Sequence, residues 1–237
     1  KRSNIARPFI RFPEGEPSGR DVLATHDLSF AYDDNIIFER VNLVAQRGDK
    51  VAILGQNGVG KTTLLKALQE QALQDEGHVK WGHNTRVGYM GHEHREIIEP
   101  GQTVFSWLFA QRPEVGVEEV RGILGRMLFS NKDAEKPTAT LSGGECARLV
   151  MCYLILMEFN VLLLDEPTDH LDLESVSALK EAIEAYKGTV FYVTHDRDLA
   201  SAATRIWTYP QHRDLIDYAG TLDEYLDWHS KHYKRSA

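Results

Sequence analysis

The sequence is poor in cysteine and in long apolar runs, and both shortages narrow the class of protein. Only two of its 237 residues are cysteines, Cys146 and Cys152, and they form no CxxC pair. We therefore expect no disulfide framework and a reducing, cytoplasmic setting. No apolar run approaches the roughly 18 residues that a membrane helix requires. The N-terminus is basic without the apolar core of a signal peptide, and it has no initiator methionine, so we expect an excised fragment.

Positive charge is also in short supply. The chain carries 27 Lys and Arg residues against 35 Asp and Glu residues, which leaves a formal net charge of −8 at pH 7. This balance argues against a nucleic-acid-binding surface that covers the whole chain, although both ends are locally basic. The length of 237 residues suits one large α/β domain, or one domain with a small subdomain.

The pattern of apolar residues divides the chain into an arm and a domain. Residues 1–20 are rich in proline and lack periodicity, which predicts an extended arm or the end of a linker. From residue 21 onwards strands and helices alternate, which favours a mostly parallel α/β sheet. Residues 100–140 have helical spacing instead, and we interpret about 100–157 as a small helical subdomain. The predicted helices are 61–71, 103–111, 117–128, 143–157, 173–186, a short one after His195, and 222–229. The predicted strands are 22–30, 41–46, 50–54, 78–81, 86–90, 161–165, 189–194, 205–209 and 215–218.

The clearest motif is a glycine-rich loop that follows an apolar strand and opens a helix. It reads Gly55-Gln-Asn-Gly-Val-Gly-Lys61-Thr62 and matches GxxxxGK[ST] without a mismatch. Glycines let backbone N–H groups point at phosphate oxygens, and the helix start adds partial positive charge. Lys61 can reach the β- and γ-phosphates, and the Thr62 hydroxyl is placed to bind Mg²⁺. We predict a site for ATP and Mg²⁺ formed by Gly55, Gln56, Asn57, Gly58, Val59, Gly60, Lys61, Thr62 and Thr63.

A second motif is an apolar strand that ends in two carboxylates, Asp165 and Glu166. A strand buried on both faces delivers Asp165 to the edge of the sheet beside the phosphate loop, where it can hold Mg²⁺ through water. Glu166 can then orient the attacking water or accept its proton. Without the phosphate loop, the acidic start of an ordinary loop would explain these residues equally well. With that loop present, the pair predicts ATP hydrolysis.

A third motif, the segment 141–145 with sequence LSGGE, distinguishes among nucleotide-binding proteins. A serine followed by two glycines at a helix start forms another anion-binding nest. One chain does not need two such γ-phosphate sites, so we predict that this segment contacts a nucleotide bound by a partner domain. The alternative is a helix cap, since Ser142 and Glu145 also fit a capping box. The predicted partner-site residues are Ser142, Gly143, Gly144 and Glu145.

The order of these motifs, with Thr194-His195-Asp196 late in the chain, resembles an ATP-binding cassette (ABC) ATPase from about residue 21 to 218. That resemblance implies a P-loop NTPase fold with a mostly parallel core sheet, an antiparallel β subdomain and a small helical subdomain. It implies that His195 is a switch histidine at the γ-phosphate, so that Glu166 and His195 are the catalytic residues. It also implies that adenine stacks on Tyr32, a contribution on the order of 1 kcal/mol, with Phe30 as the alternative.

A closer resemblance is to the ABC-F family, and within it to YbiT-like members. Residues 165–172, DEPTDHLD, are similar to that family's DEPTNHLD, with Asp169 where asparagine is usual. Residues 8–12, PFIRF, resemble the end of the family's interdomain linker. The chain thus resembles the C-terminal cassette of a two-cassette protein without membrane domains. This division makes residues 1–20 the end of the linker and 21–237 the nucleotide-binding domain.

A second position also departs from the family pattern, and this departure affects the predicted chemistry. The glutamine that the family places after the segment 88–91 is His92 here. A neutral histidine can bind Mg²⁺ through one ring nitrogen, but it is shorter than glutamine, and histidines as a class titrate near neutral pH. We expect His92 to bind Mg²⁺ with weaker coupling or to make turnover pH-sensitive. His92 and His94 lack the further ligand spacing of a zinc site.

Three functional hypotheses follow. The first, which the ABC-F resemblance favours, is one cassette of a cytoplasmic ATPase that modulates translation on the ribosome, near rRNA and tRNA. Its expected partner is the N-terminal cassette of the same protein, absent here, or a weakly bound second copy, and it has no membrane partner. The second hypothesis is the nucleotide-binding subunit of a membrane transporter. The third is a binding module in which ATP closure matters and hydrolysis hardly does.

Overall fold

The computed structural model describes residues 7–33, 35–69, 75–211 and 214–232. Within these ranges the strands are β1 (Asp21–Tyr32), β2 (Asn35–Val41), β3 (Val44–Gln46), β4 (Lys50–Leu54), β5 (Glu76–Trp81), β6 (Val87–Met90), β7 (Val161–Asp165), β8 (Thr189–Val193), β9 (Arg205–Gln211) and β10 (Asp214–Ala219). The helices are α1 (Lys61–Gln69), α2 (Val104–Gln111), α3 (Val117–Arg126), α4 (Asn131–Ala134), α5 (Gly143–Met157), α6 (Leu173–Ala185), α7 (Arg197–Ala200) and α8 (Leu222–His232). The predicted end of the first helix, at 70–71, lies outside the described residues.

The central sheet runs in the order β10-β9-β4-β8-β7-β6, and every pairing is parallel except that of β10 with β9. Strands β7 and β8 are buried along their whole length, because helices cover both faces of this sheet. Leu163 and Phe191 share a core with α1, whereas Leu162 and Tyr192 share one with α5 and α6. Parallel strands end at one edge, so the loop after β4 and the carboxylate that ends β7 lie on the same side of the molecule.

An antiparallel sheet packs beside this core, with β1 paired to β2, β3 and β5. The predicted strand 41–46 is wrong as one strand, because Val41 ends β2 and Val44 begins β3. The Thr25 hydroxyl of β1 fixes the break: it donates to the Val41 carbonyl (2.9 Å) and accepts from the Leu43 N–H (2.8 Å). Strand β2, which the sequence analysis does not predict, supplies a residue to the candidate site.

Helices α2, α3, α4 and α5 pack on one another between β6 and β7 in the chain. Trp107, Val120 and Leu149 lie in their shared core, each no more than 2% exposed. Three of these helices match the predicted ones closely. The fourth, α4, was not predicted, because its four residues are too few to show periodicity. It starts instead at a capping box formed by Ser130.

Residues 7–20 form neither helix nor strand. Their first part lies against the helical region, whereas Gly19 donates its N–H to the His83 carbonyl (2.8 Å) just after β5. Phe9 donates its backbone N–H to the last carbonyl of α3 (2.8 Å). Ile10 and Phe12 are buried in the core that contains α5, and the Phe12 ring meets Tyr186 edge-on at 5.5 Å between centroids. This arm is therefore packed into the domain through its apolar side chains.

Candidate nucleotide-binding site

The glycine-rich loop joins β4 to α1 and depends on glycine at several positions. Gly55, Gly58 and Gly60 have φ angles of 151°, 77° and 109°, a region of backbone conformation that side-chain-bearing residues rarely adopt. At Gly60 there is also no room, because a Cβ atom would lie 2.3 Å from Cγ2 of Ile37 on β2. The loop is therefore shaped by its own glycines and by a neighbouring strand.

Lys61, the first residue of α1, is 6% exposed. Its ammonium group donates to the carbonyls of Gly55 (3.0 Å) and Gln56 (2.9 Å), so the side chain folds back over the loop. Burial lowers the pKa of Lys61, and the nearby carboxylates of Glu166 and Asp165 oppose that shift. A buried cation held against a glycine-rich loop at a helix start is chemically suited to a phosphate.

The Thr62 hydroxyl donates to Oδ1 of Asp165 at 3.2 Å. Asp165 is 0% exposed, and among the described residues its Oδ2 has no hydrogen-bond partner. Burial raises the pKa of this carboxyl, while the Thr62 hydrogen bond and the charge of His92 lower it. An orphaned carboxylate oxygen beside a hydroxyl is a hard-oxygen donor pair of the kind that suits Mg²⁺.

These two donors would leave most of an octahedral shell to phosphate and water oxygens. The described part of the chain contains no group of three or more His, Cys, Asp or Glu side chains that could hold a metal ion by themselves. His92 lies nearby and lines one cavity together with Lys61 and Thr62. Its Nδ1 lies 3.4 Å from Oδ2 of Asp169, so both positions that depart from the family pattern meet each other.

Glu166 and His195 line the same cavity as Lys61 and Thr62. The Glu166 carboxylate accepts from the backbone N–H of His195 at 3.2 Å, and its other oxygen lies 3.2 Å from Nε2 of the same histidine. Glu166 has a left-handed φ of 48°, and its N–H donates to the Val193 carbonyl (3.0 Å). Burial raises the pKa of Glu166, and the charge of His195 counteracts it. A carboxylate with a raised pKa is better placed to accept a proton from water.

A single cavity of about 480 Å³ brings together most of the predicted residues, whereas Gly55, Gln56, Val59 and Asp165 do not line it. Tyr32 is at its edge and is 57% exposed, whereas Phe30 is 8% exposed and packs in the core, so Tyr32 is the more accessible of the two candidate rings. Asn35, Ile37 and Val193 also line the cavity and were missed. The apolar run 36–38 after a turn-forming Asp-Asp-Asn was the available signal. The cavity is lined by Tyr32, Asn35, Ile37, Asn57, Gly58, Gly60, Lys61, Thr62, Thr63, His92, Glu166, Val193 and His195.

The segment 142–145 does not line this cavity. Ser142 caps α5 in a complete capping box: its N–H and hydroxyl both donate to Glu145 Oε2 (2.8 and 2.9 Å), and the Glu145 N–H donates back to its hydroxyl (3.3 Å). Lys136 adds an ion pair to the same carboxylate at 2.9 Å. The backbone hydrogen bond from Ser142 is the main reason why the pKa of Glu145 is lowered. The helix cap considered as an alternative is thus present, and the contact of Gly143 and Gly144 with a partner's nucleotide stays a prediction.

A phosphate loop, a buried carboxylate at the end of the neighbouring strand and a second glycine-rich helix start together define an ATP-binding cassette. Residues 38–169 match the family model described as ABC transporter, and the chain belongs to that family, whose general activity is ATP hydrolysis. Within it, the relatives identify the chain as a nucleotide-binding domain of the ABC-F kind.

The chain is 42% identical over 228 residues to "Probable ATP-binding protein YbiT" of Escherichia coli, covering 95% of this chain and 43% of that protein. It is 36% identical over 230 residues to "ABC transporter F family member 5" of Arabidopsis thaliana, covering 94% of this chain and 33% of the relative. It is also 36% identical over 225 residues to "ATP-binding protein Uup" of Escherichia coli, covering 93% and 35%. The chain therefore spans less than half the length of each of these relatives.

Solved structures agree on the fold. The cbiO1 protein of Clostridium perfringens, described as part of an ABC transporter complex, has a TM-score of 0.68 at 23% identity, covering 92% of this chain and 97% of its own. An ATP-binding cassette described as a dimer in a post-hydrolysis state, bound to ADP and Pi, has a TM-score of 0.69 at 20% identity, covering 83% and 98%. Across the described ranges, no helix combines the length and apolarity needed to cross a bilayer.

Proposed function

We propose that this chain is one cassette of a two-cassette ABC-F ATPase, and that ATP-driven closure of the two cassettes modulates translation on the ribosome. The observation that carries the proposal is the separation of two phosphate-binding helix starts: the loop of α1 opens into the cavity, whereas Ser142 at the start of α5 does not line it. Each start is then one half of a composite site. The partial coverage of the longer relatives supports a second cassette in the same protein.

In the proposed mechanism, the loop N–H groups and Lys61 bind the phosphates, and Tyr32 stacks on the adenine. Thr62 and Asp165 would hold Mg²⁺, with His92 as a further ligand, and the ion would screen the phosphate charge. Glu166 orients the attacking water and takes its proton, while His195, 3.2 Å from Glu166, contacts the γ-phosphate. Ser142, Gly143, Gly144 and Glu145 close on the nucleotide of the partner cassette.

We expect this chain by itself to hydrolyse ATP slowly. It binds ATP through its own loop, but the segment that would complete this site, the equivalent of this chain's signature segment (residues 141–145), belongs to another cassette. Turnover therefore requires the partner cassette or weak pairing with a second copy. Turnover that rises with chain concentration would support this view. Fast, concentration-independent turnover by a dilute monomer would contradict it.

The ribosomal part of the proposal is tested with the full-length reading frame. The Glu166→Gln variant should bind ATP but hydrolyse it at least about 100-fold more slowly. It should therefore accumulate in the closed, ATP-bound state. In this state we expect it to co-sediment with ribosomes when ATP is present and not when ATP is absent. Co-fractionation with membranes instead would favour a transporter subunit. Unaltered turnover in this variant would show that Glu166 is not the general base.

A further inference from the structure

The start of α5 is held by an arginine from the segment that follows the nucleotide cavity. Arg95 lies on a short 3₁₀ turn (His94–Ile97), three residues after the cavity-lining His92. Its guanidinium donates to the carbonyl of Leu141, and its Nη1 lies 3.4 Å from the carbonyl of Ala139. Leu141 directly precedes Ser142 and Ala139 lies two residues further back, so Arg95 holds the loop that leads into the segment 141–145.

The turn that carries Arg95 is itself anchored. His94 is 5% exposed, and its Nδ1 lies 2.8 Å from the Gly91 carbonyl at the end of β6. Ile98, the residue after the turn, is also buried. The His94 N–H also donates to the His92 carbonyl at 3.2 Å. A change at His92 on nucleotide binding would therefore reach Arg95 through one anchored turn.

A second contact reaches the same helix start from the segment after Glu166. His170, with a φ of 64°, packs on the signature glycines: a Cβ atom on Gly143 would lie 2.9 Å from Cγ of His170, and one on Gly144 would lie 2.7 Å from its carbonyl oxygen. The Asp169 N–H donates to the Glu166 carbonyl at 3.0 Å. The signature segment is thus flanked by two segments that both begin in the cavity.

We propose that Arg95 is a positioning residue: it holds the loop before Ser142 so that this chain's signature segment meets the nucleotide of the partner cassette, and it ties that segment to His92. The inference rests on the proposed function, because it needs a partner site. A guanidinium suits this task since its planar fork donates to two carbonyls at once, whereas an ammonium is a single point of charge. Arg95 would therefore act through Ser142 and not on this chain's own phosphates.

A double-mutant cycle on the turnover of the full-length protein tests this inference. Arg95→Ala should lower kcat about tenfold while the KM for ATP changes less than about twofold, because the loop of α1 is untouched. Arg95→Lys keeps the charge but not the fork and should lose about threefold. The variant with both Arg95→Ala and Ser142→Ala should be no slower than Ser142→Ala alone, since the arginine acts through the serine.

The matched control is Arg112→Ala. Arg112 donates to the Leu156 carbonyl (2.9 Å) near the opposite end of the same helix, α5. Because Arg112 also pairs with Glu158 (2.9 Å) and Glu114 (3.4 Å), Arg112→Ala should lower the thermal midpoint at least as much as Arg95→Ala does, but it should leave kcat unchanged. Full turnover in both Arg95 variants, or additive losses in the double mutant, would overturn the inference. If Ser142→Ala had no effect on turnover, the proposed partner site would be wrong instead.

Discussion

Helices α1 and α5 both begin in glycine-rich turns suited to a phosphate, yet the polar groups around them are satisfied in opposite ways. At α1, Lys61 folds back on the carbonyls of its own loop, and one oxygen of the adjacent Asp165 is buried without a hydrogen-bond partner among the described residues. At α5, Ser142 and Glu145 satisfy each other in a capping box, and Lys136 pairs with the same carboxylate.

This difference indicates two kinds of site. A buried polar group without a partner costs about 1–3 kcal/mol, so the start of α1 is improved by a cation and a phosphate. The start of α5 is satisfied without any ligand, and under the proposed function its geometry is set in advance for a phosphate bound by the partner cassette. Stability and function should therefore respond in opposite directions at α1, and together at α5.

The largest expected effect is at Lys61. Removing the ammonium group in Lys61→Ala should weaken ATP binding about 100-fold, the result of losing charge-assisted hydrogen bonds to phosphate. Titration with a fluorescent ATP analogue measures the affinity. Lys66→Ala, at an exposed position on the same helix, is the matched control and should bind as the unaltered chain does. Equal affinities in the two variants would show that Lys61 does not hold phosphate.

Asp165→Asn should separate stability from function at α1. The variant should need about tenfold more Mg²⁺ for ATP binding, because a carboxylate is a stronger Mg²⁺ ligand than an amide. Yet in the absence of nucleotide it should be more stable than the unaltered chain by about 1 kcal/mol at neutral pH, because a buried charge is gone. Urea unfolding measures the stability.

The pH dependence of that stability gain follows from the raised pKa of Asp165. The folded chain binds this proton more tightly than the unfolded chain, so stability falls as pH rises from the ordinary aspartate value through the raised one. The advantage of Asp165→Asn should then disappear on acidification through that window. Asp217→Asn is the control, because Asp217 is fully paired with Arg205 (2.6 and 2.8 Å) and its loss should destabilise the chain. If Asp165→Asn were less stable than the unaltered chain at neutral pH, the unpaired Asp165 carboxylate would not be a cost to the folded state.

The α5 side of the comparison is tested with two matched serines. Ser142 and Ser130 both close capping boxes in the helical region, so Ser142→Ala and Ser130→Ala should each cost about 1 kcal/mol of stability in urea unfolding. In the full-length protein, only Ser142→Ala should lower ATP turnover, by about tenfold. Equal turnover in both variants would mean that Ser142 is a helix cap and nothing more.

The smallest expected effect is at Tyr32. Tyr32→Ala should weaken ATP binding about fivefold, which corresponds to the roughly 1 kcal/mol of one stacked ring. Tyr32→Phe keeps the ring and should bind normally. Phe30→Ala serves as the contrast, since Phe30 is 8% exposed and its loss should cost about 3 kcal/mol of stability. Normal ATP affinity in Tyr32→Ala would leave the adenine without an assigned stacking ring.

The sequence predicts the parts of the site whose chemistry is local. The loop 55–62 carries its glycines, lysine and threonine in one contiguous stretch of sequence, and its flanking strand and helix have clear periodicity. The prediction of β7 succeeds for a similar reason, because a strand buried on both faces is an unbroken apolar run. Asp165 and Glu166 then follow from their place at its end.

The misses have a tertiary origin. Strand β2 was not predicted, and Ile37, which excludes any side chain at Gly60, was therefore not placed in the site. The break between β2 and β3 depends on the hydroxyl of Thr25, which lies on β1 and is 16 residues before its hydrogen-bond partner Val41 in the sequence. No local pattern in 41–46 indicates where the pairing changes.

By itself, the sequence determined the family, the alternation of strands and helices, and the residue types proposed to bind a triphosphate, because each is encoded in contiguous motifs or short-range periodicity. Only the tertiary structure decided which polar groups are satisfied. The orphaned oxygen of Asp165, the closed box of Ser142 and Glu145, and the contact of Arg95 with Leu141 all depend on burial and on partners brought together by folding. The physical reason is that a hydrogen bond or a desolvated charge is a property of surroundings, and distant segments supply those surroundings.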